Sequence, residues 1–163
     1  MNKLDLVYQK MMEYYRGDAK RIQHFVKVHS LAALIGRLEG LSEDVQQTLE
    51  AAAYVHDIGI KPALAKYGKS SGPYQEELGI EPARKMLSEC GFNAETVERV
   101  GYLVGHHHTY DNIDGADYQI LVEADFLVNL FEHGDTPDAA RHALEHIFKT
   151  VAGKEICKTM FDL

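Results

Sequence analysis

Apolar residues recur every three to four positions along almost the whole chain, and no stretch sustains the two-residue alternation that a sheet requires. That periodicity predicts an all-α fold. No internal repeat, low-complexity tract or linker interrupts it, so the 163 residues are expected to form one compact helical bundle, a single domain over 1–163. Breaks between helices are written in capping residues and glycines. A first helix is expected from Leu4 to Arg16, stopping at Gly17, and Asp18 caps a second that reaches about Glu39 before Gly40. Ser42, followed by Glu43 and Asp44, opens a third that closes at Gly59. A short helix over Pro62–Lys66 leads into the turn-rich stretch Tyr67–Pro73, and the next runs from Tyr74 to Cys90 with Pro82 as a kink or restart. Asn93 caps a helix through about His106. Another covers Asp117–Glu132, Thr136-Pro137-Asp138 starts the following one, and Lys154–Leu163 forms a short terminal helix.

Against this pattern, a few polar residues fall on faces that should be buried. His24 lines up with Val28, Leu31 and Ile35, while Lys20, Gln23, Lys27, Ser30 and Arg37 form the polar side of the same helix. His56 continues the stripe of Val45, Leu49, Ala52 and Ala53, and Asp57 follows it at the end of the apolar run Ala51-Ala52-Ala53-Tyr54-Val55. Asp125 shares a face with Leu121 and Val128. Taken singly, His24 reads as a satisfied core histidine, Asp57 as a helix-terminal residue, and Asp125 as the buried partner of an arginine or lysine. Taken together they point elsewhere. Three helices each send an imidazole or a carboxylate inward, and a buried carboxylate costs several kcal/mol unless it is paired or binds a cation. One divalent ion satisfies all of them, and nitrogen and oxygen donors without thiolate suit Mn, Fe, Ni, Co, Zn or Mg.

These segments carry a resemblance. Arg21-Ile22-Gln23-His24-Phe25-Val26-Lys27-Val28, then Ala51-Ala52-Ala53-Tyr54-Val55-His56-Asp57-Ile58-Gly59, then Glu123-Ala124-Asp125 resemble the HD superfamily of metal-dependent phosphohydrolases. The likeness spans a core motif region of 18–132, on which the helices of 136–163 would pack. The stretches Gly105-His106-His107-His108-Thr109-Tyr110 and Asp117-Tyr118-Gln119-Ile120 look like those of small bacterial proteins described only as predicted HD hydrolases. The resemblance implies an HD-domain bundle whose metal is held by His24, His56, Asp57 and Asp125. Many relatives hold a second metal with two further histidines. Here Gln75 stands at the first of those positions, followed by Glu76 and Glu77, so the sequence departs from the two-metal pattern, with Glu76 as a substitute ligand. In the histidine run, His107 shares a face with Val100 and Val104 and is the candidate for a second metal or for substrate, and His106 lies on another side; the alternative is a run that caps its helix and faces solvent.

The chemistry implied is hydrolysis of a phosphate ester, with a nucleotide or a related phosphomonoester or phosphodiester as the small phosphorylated partner. Asp57 is suited both to ligate and to orient water. Arg21, one turn before His24, and Lys61, directly after the His-Asp helix, are candidate phosphate donors, whereas Lys66 and Lys69 read as solvated surface charge. The loop Tyr67–Tyr74 is a lid or a mere connector. Two rival readings stand beside this one: a di-iron oxygenase on the same scaffold, which needs a complete second iron site, and a non-catalytic module that senses metal or nucleotide.

Composition narrows the setting. The formal charge of -8 argues against non-specific affinity for nucleic acid or anionic membranes, so a bound cation must provide the local positive field for a phosphate. No apolar run approaches a membrane span, and Lys3, Asp5, Lys10 and Glu13 interrupt the start as no secretory segment tolerates. Two cysteines, Cys90 and Cys157, have no metal-type spacing, which makes a reducing cytoplasm the expected location. Leu144, Ile147, Phe148 and Phe161 give the last two helices enough apolar surface to pack internally or on a second copy in a homodimer.

Overall fold

The capping signals in the sequence are used as hydrogen bonds. Asp18 Oδ1 accepts from Arg21 N at 3.0 Å, Asn93 Oδ1 from Thr96 N at 2.8 Å, and Thr136 Oγ1 from Ala139 N at 3.2 Å. In a computed structural model describing residues 1–163, they delimit nine helices and no strand. These are α1 (Lys3–Tyr14), α2 (Ala19–Leu38), α3 (Glu43–Val55), α4 (Ile60–Tyr67), α5 (Gly72–Glu89), α6 (Ala94–Val104), α7 (Ala116–Glu132), α8 (Pro137–His146) and α9 (Val151–Phe161). The all-α expectation holds. No helix is long and apolar enough to cross a membrane.

α3 is the hub. It packs against α1, α2, α6 and α7. Its last two turns explain how it can be surrounded: Ala51, Ala52 and Ala53 are each 0% exposed, and side chains this small let neighbouring helices approach on every side. One continuous apolar core runs from Val7 and Met11 of α1 through Phe25, Leu49, Leu103 and Leu121 to Phe148 and Cys157. Phe148 is buried, and Leu144, Ile147 and Phe161 lie against that core, so the C-terminal apolar residues pack internally.

Several helix limits differ from the sequence-based expectation. α3 stops at Val55 rather than Gly59, because His56–Gly59 leave the helix as turns. There Gly59 lies so close to α5 that a Cβ would meet the Gln75 carbonyl oxygen at 2.1 Å, and only a glycine allows this contact. α6 ends at Val104, which releases all three histidines of the run into a turn. α5 passes through Pro82 without restarting. α9 begins at Val151, a turn earlier than Lys154, because Thr150 Oγ1 caps Gly153 N at 2.9 Å.

Candidate metal centre

α2, the turn after α3, and α7 meet at one buried point. His24, His56, Asp57 and Asp125 are 3%, 0%, 5% and 3% exposed, and one ligand atom from each lies within 4.8 Å of all the others. His24 Nε2 is 3.1 Å from His56 Nε2, 3.1 Å from Asp57 Oδ2 and 3.4 Å from Asp125 Oδ1. His56 Nε2 is 3.5 Å from Asp57 Oδ2 and 3.4 Å from Asp125 Oδ1. Donors that share a divalent ion at about 2.0–2.2 Å stand about 3.0–3.6 Å apart, so these spacings are those of a common coordination shell.

The hydrogen bonds on the far side of each ring give the same answer. His56 Nδ1 donates to the Ala53 carbonyl at 2.8 Å, and His107 Nδ1 to the Val104 carbonyl at 2.8 Å. A carbonyl oxygen only accepts, so each Nδ1 carries the hydrogen and Nε2 is the bare nitrogen of the neutral ring. Both rings use one local device: a histidine just past a helix end returns to a carbonyl that the helix leaves without a partner. His24 Nδ1 meets Glu132 Oε1 at 2.5 Å, and Lys27 Nζ holds the other oxygen of Glu132 at 2.8 Å. The Nε2 atoms therefore point lone pairs at carboxylate oxygens. Acceptor facing acceptor is repulsive unless positive charge lies between them, and the donor set fits a divalent cation.

The titration behaviour reflects the same demand for positive charge. Burial opposes protonation of His24, but the carboxylates of Asp125 and Asp57 outweigh it and raise its pKa to about 10. Burial likewise works against a charged His107, and Asp57 still holds its pKa above the ordinary value. Burial would raise the Asp57 and Asp125 carboxyls, but the protonated forms of the rings beside them, His56, His107 and His24 for Asp57 and His24 and His56 for Asp125, hold both below the ordinary carboxylate value.

The remaining candidates are divided by the structure. Arg21 reaches the centre, with Nη1 3.2 Å from Asp57 Oδ2. His107 reaches it too, with Nε2 3.1 Å from Asp57 Oδ1. Lys61 does not: its ammonium donates to the Tyr14 carbonyl at 2.9 Å and lies 4.8 Å from the Tyr14 ring centroid. His106 turns away, its Nδ1 2.7 Å from the Tyr102 carbonyl and its ring stacked on Tyr102. Glu76 anchors the loop after α6, accepting from His108 N at 3.2 Å and Thr109 Oγ1 at 3.0 Å.

Five contributors went unrecognised in the sequence. His108 joins Asp57 and His107 in a second group of potential ligands, its Nε2 3.9 Å from Asp57 Oδ1 and 2.9 Å from Gln75 Oε1. Burial and the neighbouring His107 push its pKa down to about 4. Asn129 Nδ2 donates to Asp125 Oδ1 at 3.0 Å, and Glu132 and Lys27 orient His24 as above. Asn129 and Glu132 had a signal, because positions four and seven residues after Asp125 share its helix face. Tyr15 had none: its buried hydroxyl donates to the Asp57 carbonyl at 3.1 Å and fixes the His-Asp turn from α1.

A crystal structure of a predicted HD superfamily hydrolase from an uncultured Thermotogales bacterium has the same fold, with a TM-score of 0.67 at 24% sequence identity over 98% of this chain and 83% of that one. Among curated proteins, none matches this chain in sequence. The family model for the HD domain matches residues 21–149, a span that contains every ligand of the buried cluster, and the chain belongs to the HD domain family.

Proposed function

We propose that this chain is a metal-dependent phosphohydrolase acting on a phosphate ester, a nucleotide or a related phosphomonoester or phosphodiester. The observation that carries the reading is the convergence of two imidazole Nε2 atoms and two buried carboxylates on one point, with their outer atoms already engaged. His24, His56, Asp57 and Asp125 would hold the ion. When bound, a divalent metal supplies Lewis acidity toward a phosphoryl oxygen and lowers the pKa of a water.

The protein's own groups do the rest. Asp57 faces two ways: Oδ2 lies toward His24 and Arg21, and Oδ1 toward His107. Its carboxylate, held ionised, is placed to accept a proton from the attacking water, and His107 beside it steadies the charge. Arg21 is the route from substrate to centre. Its side chain is 31% exposed, so the guanidinium can hold a phosphoryl oxygen while it remains bonded to Asp57. Similarity to a predicted hydrolase supports this reading.

A second reading has one observation in its favour. Asp57, His107 and His108 form a further ligand group that shares Asp57 with the first, as a two-metal centre would. The His108 nitrogen is engaged by Gln75, a neutral amide, which leaves that group poorer in donors. A di-iron oxygenase is correspondingly the weaker alternative.

His56→Ala and Asp57→Ala should each abolish metal content and phosphate release together, assayed with Mn, Co, Ni and Mg. Activity surviving in both variants would place the chemistry elsewhere. Elemental analysis of the purified protein gives one equivalent for the main reading and two for the shared-carboxylate alternative.

A further inference from the structure

One small hollow differs from the others on this surface. It encloses about 100 Å³ and is lined wholly by polar residues: Lys20, Arg21, His24, Asn129, Glu132 and His133. A larger one of about 330 Å³, around Lys10 and Pro82, shares no residue with the metal ligands. Three walls of the small hollow touch the centre's carboxylates directly. Arg21 bonds to Asp57 at 3.2 Å, Asn129 to Asp125 at 3.0 Å, and His24 faces both at 3.1 and 3.4 Å. The hollow therefore adjoins the centre on the side of Arg21 and Asn129.

Its electrostatics run against those of the molecule. The chain carries a formal charge of -8, yet this hollow brings together Lys20, Arg21 and the neutral donors Asn129 and His133. Its one carboxylate, Glu132, is already matched by Lys27 at 2.8 Å and by His24 at 2.5 Å. Lys20 is exposed and makes no ion pair, and the His133 ring makes no hydrogen bond. Two cations with two neutral donors complement a dianion better than a monoanion. No apolar residue lines the hollow, so polar groups face a phosphate on every side.

We propose that Lys20, Arg21, Asn129 and His133 form the seat of a terminal phosphate dianion, so that the enzyme selects phosphomonoesters over phosphodiesters. This rests on the phosphohydrolase reading for its chemistry, but the seat itself is a binding site that can be measured alone. Lys20 and His133 touch substrate and none of the metal ligands.

The test titrates inorganic phosphate into Mn-loaded wild-type protein and into Lys20→Met and His133→Ala, with metal content measured in parallel. Each variant should bind phosphate about tenfold more weakly and retain its metal, since a charge-assisted hydrogen bond is lost at a partly exposed site. With 4-nitrophenyl phosphate and bis(4-nitrophenyl) phosphate as paired substrates, wild type should favour the monoester, and Lys20→Met should lose much of that preference through KM. Unchanged phosphate affinity in both variants, no phosphate binding by wild type, or a preference for the diester would overturn the proposal. If wild type hydrolysed neither ester while both variants lost phosphate binding, the seat would stand and the hydrolase reading would fall.

Discussion

Glu132 shows how much of the candidate metal site lies outside its four candidate ligands. It touches no candidate metal position, yet its oxygen at 2.5 Å fixes the His24 ring, and Lys27 at 2.8 Å fixes Glu132 in turn. Burial would raise the Glu132 pKa, but the hydrogen bonds from Lys27 and His24 hold it below the ordinary value, so the carboxylate that anchors the ring stays ionised. Partners of this kind set ring orientation and ligand basicity, and losing one typically costs 10–100-fold in metal affinity. Glu132→Ala should therefore weaken metal binding about 10–100-fold in a competitive chelator titration. Its fold should persist, since the side chain is only partly enclosed. An affinity equal to wild type would mean that packing alone holds His24 in place.

At the scale of elements, α7 carries two carboxylates with opposite duties. Asp125 faces the metal centre, and Glu123, fully buried, faces the start of α9. Glu123 Oε2 accepts from Gln119 Nε2 at 2.6 Å, Lys149 N at 2.9 Å and Thr150 N at 3.0 Å, and Oε1 accepts from Thr150 Oγ1 at 2.6 Å. An anion at a helix N-terminus also complements the helix dipole. Glu123→Ala should cost about 3 kcal/mol in urea unfolding, because it strands several buried donors. The folded fraction should keep its metal, in contrast to Asp57→Ala. Metal loss in Glu123→Ala at full stability would reverse the two roles. The three stretches that bring ligands together are fixed in different ways: α2 by its Asp18 cap, the His-Asp turn by Tyr15 and the tight Gly59 approach, and α7 by its packing on α2 and α3.

For the whole molecule, metal binding at this cluster would be linked to folding, since the candidate ligands come from residues 24, 56–57 and 125 and meet only in the native chain. An ion that binds only the native state at 100 times its Kd adds about 2.7 kcal/mol, which for a domain of this size raises Tm by about 5–10 °C. Thermal melts with Mn and after chelation should differ by that amount, and identical melts would show that the cluster holds no ion. The helices and the burial of His24, His56, Asp57 and Asp125 were legible in the sequence because both depend on local rules. Apolar periodicity defines each helix, capping residues mark its start, and a histidine or carboxylate on an apolar stripe must face the core. Helix ends were the weak point, and His108, missed in the histidine run, shows the cost. α6 stops at Val104, so residues 106–108 leave the helix as a turn and His108 comes to Gln75 and within 3.9 Å of Asp57. The sequence by itself thus determined an all-helical chain with four buried polar residues of a kind that can hold a cation. Only the tertiary structure decided that Arg21 meets Asp57 while Lys61 turns to Tyr14, and that Asp57 is the partner of His107. The physical reason is range: burial follows from the residues on one helix, whereas the partner of a long or terminal side chain depends on which helices are packed beside it.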